Sequence, residues 1–343
     1  MAQCGIPRID ELIAGTGSAA PIGPGDSDRD SVGLIQDLLT GQGQKGLSNL
    51  LSPNYGVFGP LTTAAVRSFR TRVGLPADDQ VDAQALQQMV QTPASAPIAS
   101  RGYLTLALDF QFSSLTKILS IVAQMEGAGK FGALNLNTDR AGLSFGLIQW
   151  AQKPGRLAEI LQAFLADSSN DFVRILGAGD SNLADRLLVH TQKPNGGVDQ
   201  KTGETTDPTF DLIEEPWVSR FRQAALSKPL QQVQVQTAVK DFGRSLALIR
   251  QFAPELTSER AVAFAIDLAN QFGNSGARSI FQAVKQSGMS ENDLLEAMAD
   301  ESVARIQDPW KAGTQARRQH FLTTSFLSDG SFDSSQSSLP AAS

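Results

Sequence analysis

Apolar residues at Val32, Ile35, Leu38 and Leu39 recur at helical spacing, and Leu61, Ala65, Val66 and Phe69 repeat the pattern further along. A third short helix is predicted through Ala83, Leu86 and Met89, with Gly56, Gly59 and Gly74 in the turns, so this part reads as a three-helix bundle. Residues 15–25 (GTGSAAPIGPG) and 91–100 (QTPASAPIAS) are small, Pro/Gly-rich stretches that read as linkers on either side. The expected boundaries are a leader and linker over 1–27, the bundle over 28–91, a linker over 92–103, a larger unit over 104–324 and a mobile Ser/Asp-rich tail over 325–343.

In the larger unit, Leu115, Ile118, Leu119 and Val122 mark one face of a helix over 113–125, with Ser113 or Ser114 as its N-cap. Glu126 continues that stripe, four residues after Val122 and seven after Leu119, at the helix C-terminus. Burial and the negative end of the helix dipole both disfavour an anion there, which is the condition a general acid needs. An exposed Glu at a fraying helix end is the plain alternative. The next stretch, NLNTDRAGLSFGLIQW, weighs against it: Asp139 lies in a polar turn ahead of residues 143–150, where Gly142 and Gly146 suit a tight hairpin. One carboxyl on an apolar helix face and one in a hydrated loop are the minimal equipment of a glycosidase. Pro154 then opens an amphipathic helix carrying Leu157, Ile160, Leu161, Phe164 and Leu165.

Composition narrows the chemistry. A length of 343 residues suggests two folded units, and 41% hydrophobic content supplies their cores. With a net charge of −6 there is no basic excess to grip phosphates, so nucleic acid is not an expected partner. Cys4 is the sole cysteine and His190 and His320 the only histidines, which leaves no intrachain disulfide and makes a zinc cluster hard to assemble. Metal- and thiol-dependent hydrolysis are therefore poor readings, and no cofactor is expected. No run approaches the roughly 20 apolar residues of a membrane span, and residues 1–17 lack the basic start and apolar core of a secretory signal.

The segments VGLIQDLL, YGVFGPLTTAAVRSFR and VGLPADDQVD resemble the peptidoglycan-binding type 1 domain, with its Gln-containing first helix, its G-x-F-G-x-x-T-x-x-A-V-x-x-F centre and the G-L that follows. The chain departs from that pattern at Asp78 and Asp79, where the family has Asp-Gly, and at Ala85, where it has Thr. The second unit resembles the lysozyme-like superfamily, in which a helix ending in a catalytic Glu leads into a small β-region. Within it the nearest pattern is that of the family 46 chitosanases: a Glu, then an Asp opening D-x-x-G-x-[ST]-x-G-[LI]-I, which DRAGLSFGLI matches over 139–148. The resemblance implies a mainly α protein, a three-helix binding bundle followed by a lysozyme-like α+β domain. It also implies Glu126 as general acid, Asp139 as general base and Ser144 as a hydroxyl that helps place the attacking water. Asp267, in FAIDLANQFG, is implied to join a buried ionic network near the acid, with Arg305, Arg317 and Arg318 as open candidates for its basic partner. The Glu-to-Asp spacing is shorter than in chitosanases, which implies a trimmed β-region.

Asn135, Asn137 and Gln149 are candidates to line a sugar groove, since amides bond hydroxyl and acetamido groups; support of the β-region is the other role open to them. Trp150 and Trp217 either stack on sugars or pack in the core. His190 and His320 read as solvated surface, and the polar stretch 191–209 as a mobile insertion ahead of a substrate-covering loop. The combined reading is cofactor-free hydrolysis of the β-1,4 glycan of peptidoglycan at the bacterial cell wall, the partner being peptidoglycan or a related amino-sugar polymer. Delivery would then use a phage, an injection machine or a signal that has been cut away. A chitosanase, a lytic transglycosylase and an inactive wall-binding protein are the alternatives.

Overall fold

The computed structural model describes residues 4, 6–15, 19–48, 52, 54–92, 113–127, 129–324 and 326–333. Among them are thirteen α-helices and one three-stranded sheet, so the chain is mainly helical. It divides into two compact units: Met1–Phe112 with Leu119–Ala238, and Ser113–Ile118 with Val239–Ser343.

The N-terminal part of the first unit holds α1 (Pro7–Ala14), α2 (Arg29–Gly41), α3 (Pro60–Arg72) and α4 (Ala83–Gln91). The predicted stripes close one core: Val32, Ile35, Leu38 and Leu39 from α2, Ala65, Val66 and Phe69 from α3, Leu86 and Met89 from α4. Leu61 is the exception at 65% exposure. The buried stripe of α3 runs through Thr62, Ala65, Val66, Phe69 and Arg70, so Thr62 and not Leu61 continues it at the helix start.

The stretch expected to be a leader and linker belongs to the same core. Helix α1 starts at Pro7, ends on Gly15 in the left-handed region (φ +66), and buries Ile9 and Leu12 where it packs on α4. Ile22 is fully buried and exchanges backbone hydrogen bonds with Val81, of 3.0 and 2.8 Å. Arg8 binds the Pro21 carbonyl and the Asp26 carboxylate. The Pro/Gly-rich composition there marks an irregular path, not a lack of contacts. Beyond Thr92, the second expected linker lies outside the described residues.

Buried amides complete this module. Gln36 accepts the Gly56 N–H through Oε1 (2.9 Å) and donates through Nε2 to the Val57 carbonyl and to Thr62 Oγ1 (each 3.1 Å). Gly56 has φ +77, and a Cβ on it would stand 2.5 Å from the Arg29 carbonyl oxygen, so only glycine fits where Gln36 needs its donor. Gln42 donates to the Met89 and Thr92 carbonyls, fastening the end of α4 to α2.

In the rest of the first unit, the part of α5 (Ser114–Gly127) from Leu119 on leads into an antiparallel sheet of order β1 (Leu134–Leu136), β2 (Leu143–Phe145), β3 (Trp150–Ala151). Ser113 Oγ accepts the Thr116 N–H, the N-cap expected of α5. Helices α6 (Arg156–Asp167), α7 (Ser169–Ile175), α8 (Ser181–Thr191), α9 (Trp217–Ala224) and the start of α10 (Lys228–Phe252) follow. Phe145 of β2 meets Phe221 of α9 at 5.1 Å between ring centroids, and Phe164 meets Phe172 at 5.7 Å.

The second unit packs α11 (Glu259–Val284), α12 (Glu291–Ala304) and α13 (Lys311–Thr323) on one another. The expected mobile tail is docked over its described part, 326–333. Phe326 and Leu327 are buried, Arg260 donates to the Phe321, Thr324 and Leu327 carbonyls and to Asp329, and Ser331 pairs with Ser258.

Replacing Gln36 by Leu strands the buried Gly56 N–H and should cost the module about 1–3 kcal/mol. Amide hydrogen exchange of the full chain should show that loss within 29–91, with protection in 259–323 unchanged; unaltered protection in 29–91 would deny the amide its role.

Candidate active site

Glu126 is the penultimate residue of α5 and is half-buried. The chain behind it turns at once: Gly129, at φ +66, donates its N–H to the Ala123 carbonyl (2.9 Å). A Cβ built on Gly127 would lie 2.6 Å from the Ala133 Cβ and 3.4 Å from the Gly146 carbonyl oxygen. The end of α5 is therefore set directly against the turn between β2 and β3.

Ser144 is the middle residue of the central strand, paired with Asn135 on one side and Ala151 on the other, and it is buried. The β1–β2 turn places Asn137, Arg140 and Gly142 all at positive φ (65, 59 and 71°), which raises Asp139 to its exposed tip. Asp139 Oδ1 accepts the Ala141 N–H at 3.2 Å, an Asx turn that steadies the loop. Glu126, Asp139 and Ser144 thus fall in one unit, within a single helix-and-hairpin run.

The other expected site residues divide differently. Asn135 accepts the Thr138 N–H and hydroxyl; Asn137 accepts the Gly142 N–H and donates to the Thr202 carbonyl; Gln149 donates to the Gly146 and Ala133 carbonyls. All three amides shape the β-region. Trp150 is 2% exposed and lies under the Gly146 turn, so no ring face is left for a sugar; its role is packing. Trp217 is also buried, with Nε1 donating to the Thr209 carbonyl.

Asp267 lies in a buried ionic network, as the resemblance implies. It is fully buried in the second unit, held by Arg317 (Nη2 at 2.5 Å, Nε at 3.0 Å) and by Arg318 Nη1. Arg318 also bonds Ser302 Oγ and Gln271, while Arg305 goes to Glu301 and Ser279. The basic partners left open by the sequence are therefore Arg317 and Arg318. A buried carboxylate is tolerable because two guanidiniums answer it.

The long polar stretch after α8 is not a mobile insertion. A tight turn over Pro194–Gly197, with Asn195, Gly196 and Gly197 at positive φ, leads to a bridge between Val198 and Thr205. The tip of this loop is bound to the Asp139 turn through Asn137 and through Lys153, which donates to both the Arg140 and Gln200 carbonyls. Gln152 ties its base to β2, accepting the Leu143 N–H and donating to the Gly196 carbonyl (3.1 and 2.8 Å). His190, expected on the surface, is 1% exposed and stacks on Phe210 with centroids 5.0 Å apart. Gln152 and Gln234, the latter described below, were not legible as site supports, because a lone Gln carries no spacing signal.

Among the described residues no group of three or more His, Cys, Asp or Glu side chains is placed to hold a metal, and no helix is long and apolar enough to cross a membrane.

Residues 28–89 match the family model described as a putative peptidoglycan binding domain. No curated protein matches the chain. Solved structures similar to it include a mutant chitosanase from Bacillus subtilis MY002 complexed with 6 GlcN, at 12% identity and a TM-score of 0.44, over 61% of this chain and 84% of that one. The native chitosanase of the same organism aligns at 12% identity and a TM-score of 0.41 over the same shares, and a chitosanase complex at 18% and 0.42, over 60% and 89%.

Burial pushes the His190 imidazole below its ordinary pKa, Lys193 adds to the effect and Asp207 opposes it; burial also lowers His320. A histidine whose pKa is lower folded than unfolded takes up more protons on unfolding, so its contribution to stability is complete above the unfolded pKa of about 6.5 and is lost as pH falls below it. Tm should therefore decline on acidification from about pH 7 to pH 5, and His190→Phe, which keeps an aromatic ring against Phe210, should flatten part of the decline. Parallel Tm profiles for the two proteins would show that His190 is not responsible.

Proposed function

We propose that the chain is a cofactor-free hydrolase of the β-1,4 glycan of bacterial peptidoglycan, brought to the cell wall by its N-terminal module. The observation that carries this reading is the pairing, in one unit, of a half-buried carboxyl at an apolar helix end with an exposed carboxyl on the turn that opens β2. Glu126 protonates the leaving glycosidic oxygen, and Asp139, open to solvent, takes a proton from the attacking water. Ser144 supplies a hydroxyl from the central strand to orient that water. The family match of residues 28–89 supports peptidoglycan as the polymer. Chitosan is the second substrate to test, because DRAGLSFGLI follows the chitosanase pattern.

Glu126→Gln keeps size and shape but cannot donate a carboxylic proton, and should lower turnover by about 10²–10⁴-fold. Pull-down on insoluble wall should be unchanged, because the binding module is untouched. Asp139→Asn should be impaired to a similar degree if an activated water attacks. Near-wild-type release of sugars by Glu126→Gln, on a polymer the parent degrades, would remove Glu126 from the acid role.

A further inference from the structure

We propose that Gln234 is a positioning residue, holding the segment that follows Glu126 at a fixed place against the β-region; this rests on the hydrolase reading above. Gln234 lies on α10 and is fully buried in the first unit. Its Oε1 accepts the Leu147 N–H and its Nε2 donates to the Phe131 carbonyl, both at 3.0 Å. Phe131 comes five residues after Glu126, and Leu147 three after Ser144. One side chain thus spans the two stretches of backbone that carry the acid and the hydroxyl.

The turn is built to receive it. Gly146 has φ +83, and a Cβ there would stand 2.5 Å from Gln234 Oε1, so the amide packs flush against a position only glycine can fill. The Gly146 N–H donates to the Ala133 carbonyl (2.9 Å), and Gln149 Nε2 bonds the carbonyls of both residues. The knot so formed joins 131–133 to 146–149, the same two segments that Gly127 touches. Gln152 is the counterpart at the far end of β2, but it reaches only Leu143 and Gly196 and makes no bond to the segment after Glu126.

The chemistry of the brace makes it testable. It needs one acceptor and one donor on the same side chain. A carboxylate accepts from Leu147 but cannot donate to Phe131; a protonated carboxyl does both; a leucine does neither. Burial raises a carboxyl pKa, so a glutamate here regains its donor on acidification.

The test uses the full chain, with Gln234→Leu and Gln234→Glu assayed for sugar release from peptidoglycan and chitosan between about pH 4.5 and pH 8. Both variants should lose about tenfold to a hundredfold in kcat at neutral pH, with KM and wall binding unchanged, because misplacing reacting groups by about 1 Å costs that much. The activity of Gln234→Glu relative to wild type should climb as pH falls, while that of Gln234→Leu stays low throughout. Hydrogen exchange of Gln234→Leu should lose protection at 131–133 and 146–149 but keep it in α6 and α8. Near-wild-type kcat in both variants, a flat pH ratio for Gln234→Glu, or unaltered exchange at those segments would overturn the assignment. A wild-type chain that releases sugar from neither polymer would instead defeat the hydrolase reading, and the exchange result would still judge the brace.

Discussion

Strands of three, three and two residues leave most of the surrounding backbone without a ladder partner, and buried amide side chains supply the missing bonds. Gln234 answers Phe131 and Leu147, Gln152 answers Leu143 and Gly196, and Gln149 answers Ala133 and Gly146. An unpaired buried backbone group costs as much as a lost hydrogen bond, so removing Gln152 or Gln234, both buried, should cost about 1–3 kcal/mol, and removing the half-buried Gln149 less. The hairpin in turn holds the end of α5, since Gly127 packs on Ala133 and the Gly146 carbonyl. The backbone that follows Glu126 is thereby set against the turn that follows β2.

The N-terminal module solves the same problem in the same way. Gln36 and Gln42 reach across the bundle to backbone groups of the loop before α3 and of the end of α4. An amide suits this work because it offers a donor and an acceptor with no charge to desolvate. In the second unit the buried polar element is ionic: Asp267 between Arg317 and Arg318, with the second guanidinium also lying 5.6 Å from the Phe264 ring centroid. Removing one partner there would leave an uncompensated buried charge, which is the costlier failure.

Helices were the most legible part of the sequence: the apolar positions from Val32 to Leu39 and from Leu115 to Val122 are buried as their spacing indicates, but Gln36, Asp37, Thr116 and Ser120 are buried too, so the period gave the helices and not a single buried face. Glycine punctuation was legible too, with Gly142 and Gly146 at positive φ on either side of β2. Composition misled where a few apolar residues sit in polar or Pro/Gly-rich surroundings, as with Ile22 in the supposed linker and Phe326 and Leu327 in the supposed tail. His190, expected on the surface, was misjudged for a related reason, and the choice left open for Trp150 could not be made from sequence. Their burial depends on Phe210 and on the Gly146 turn, contacts made through tertiary packing that no local period encodes. The amides Asn135, Asn137 and Gln149 bond within the β-region, a role that looks the same in sequence as sugar binding.

Acid/base hydrolysis of a glycan is tested most directly by the chemistry of its products. Purified peptidoglycan digested by the intact chain in heavy-oxygen water, with the released sugars read by mass spectrometry, should yield fragments with free reducing ends that carry one heavy oxygen. Fragments ending in anhydro sugars, or no released sugar at all, would contradict an activated water acting with Glu126 and Asp139.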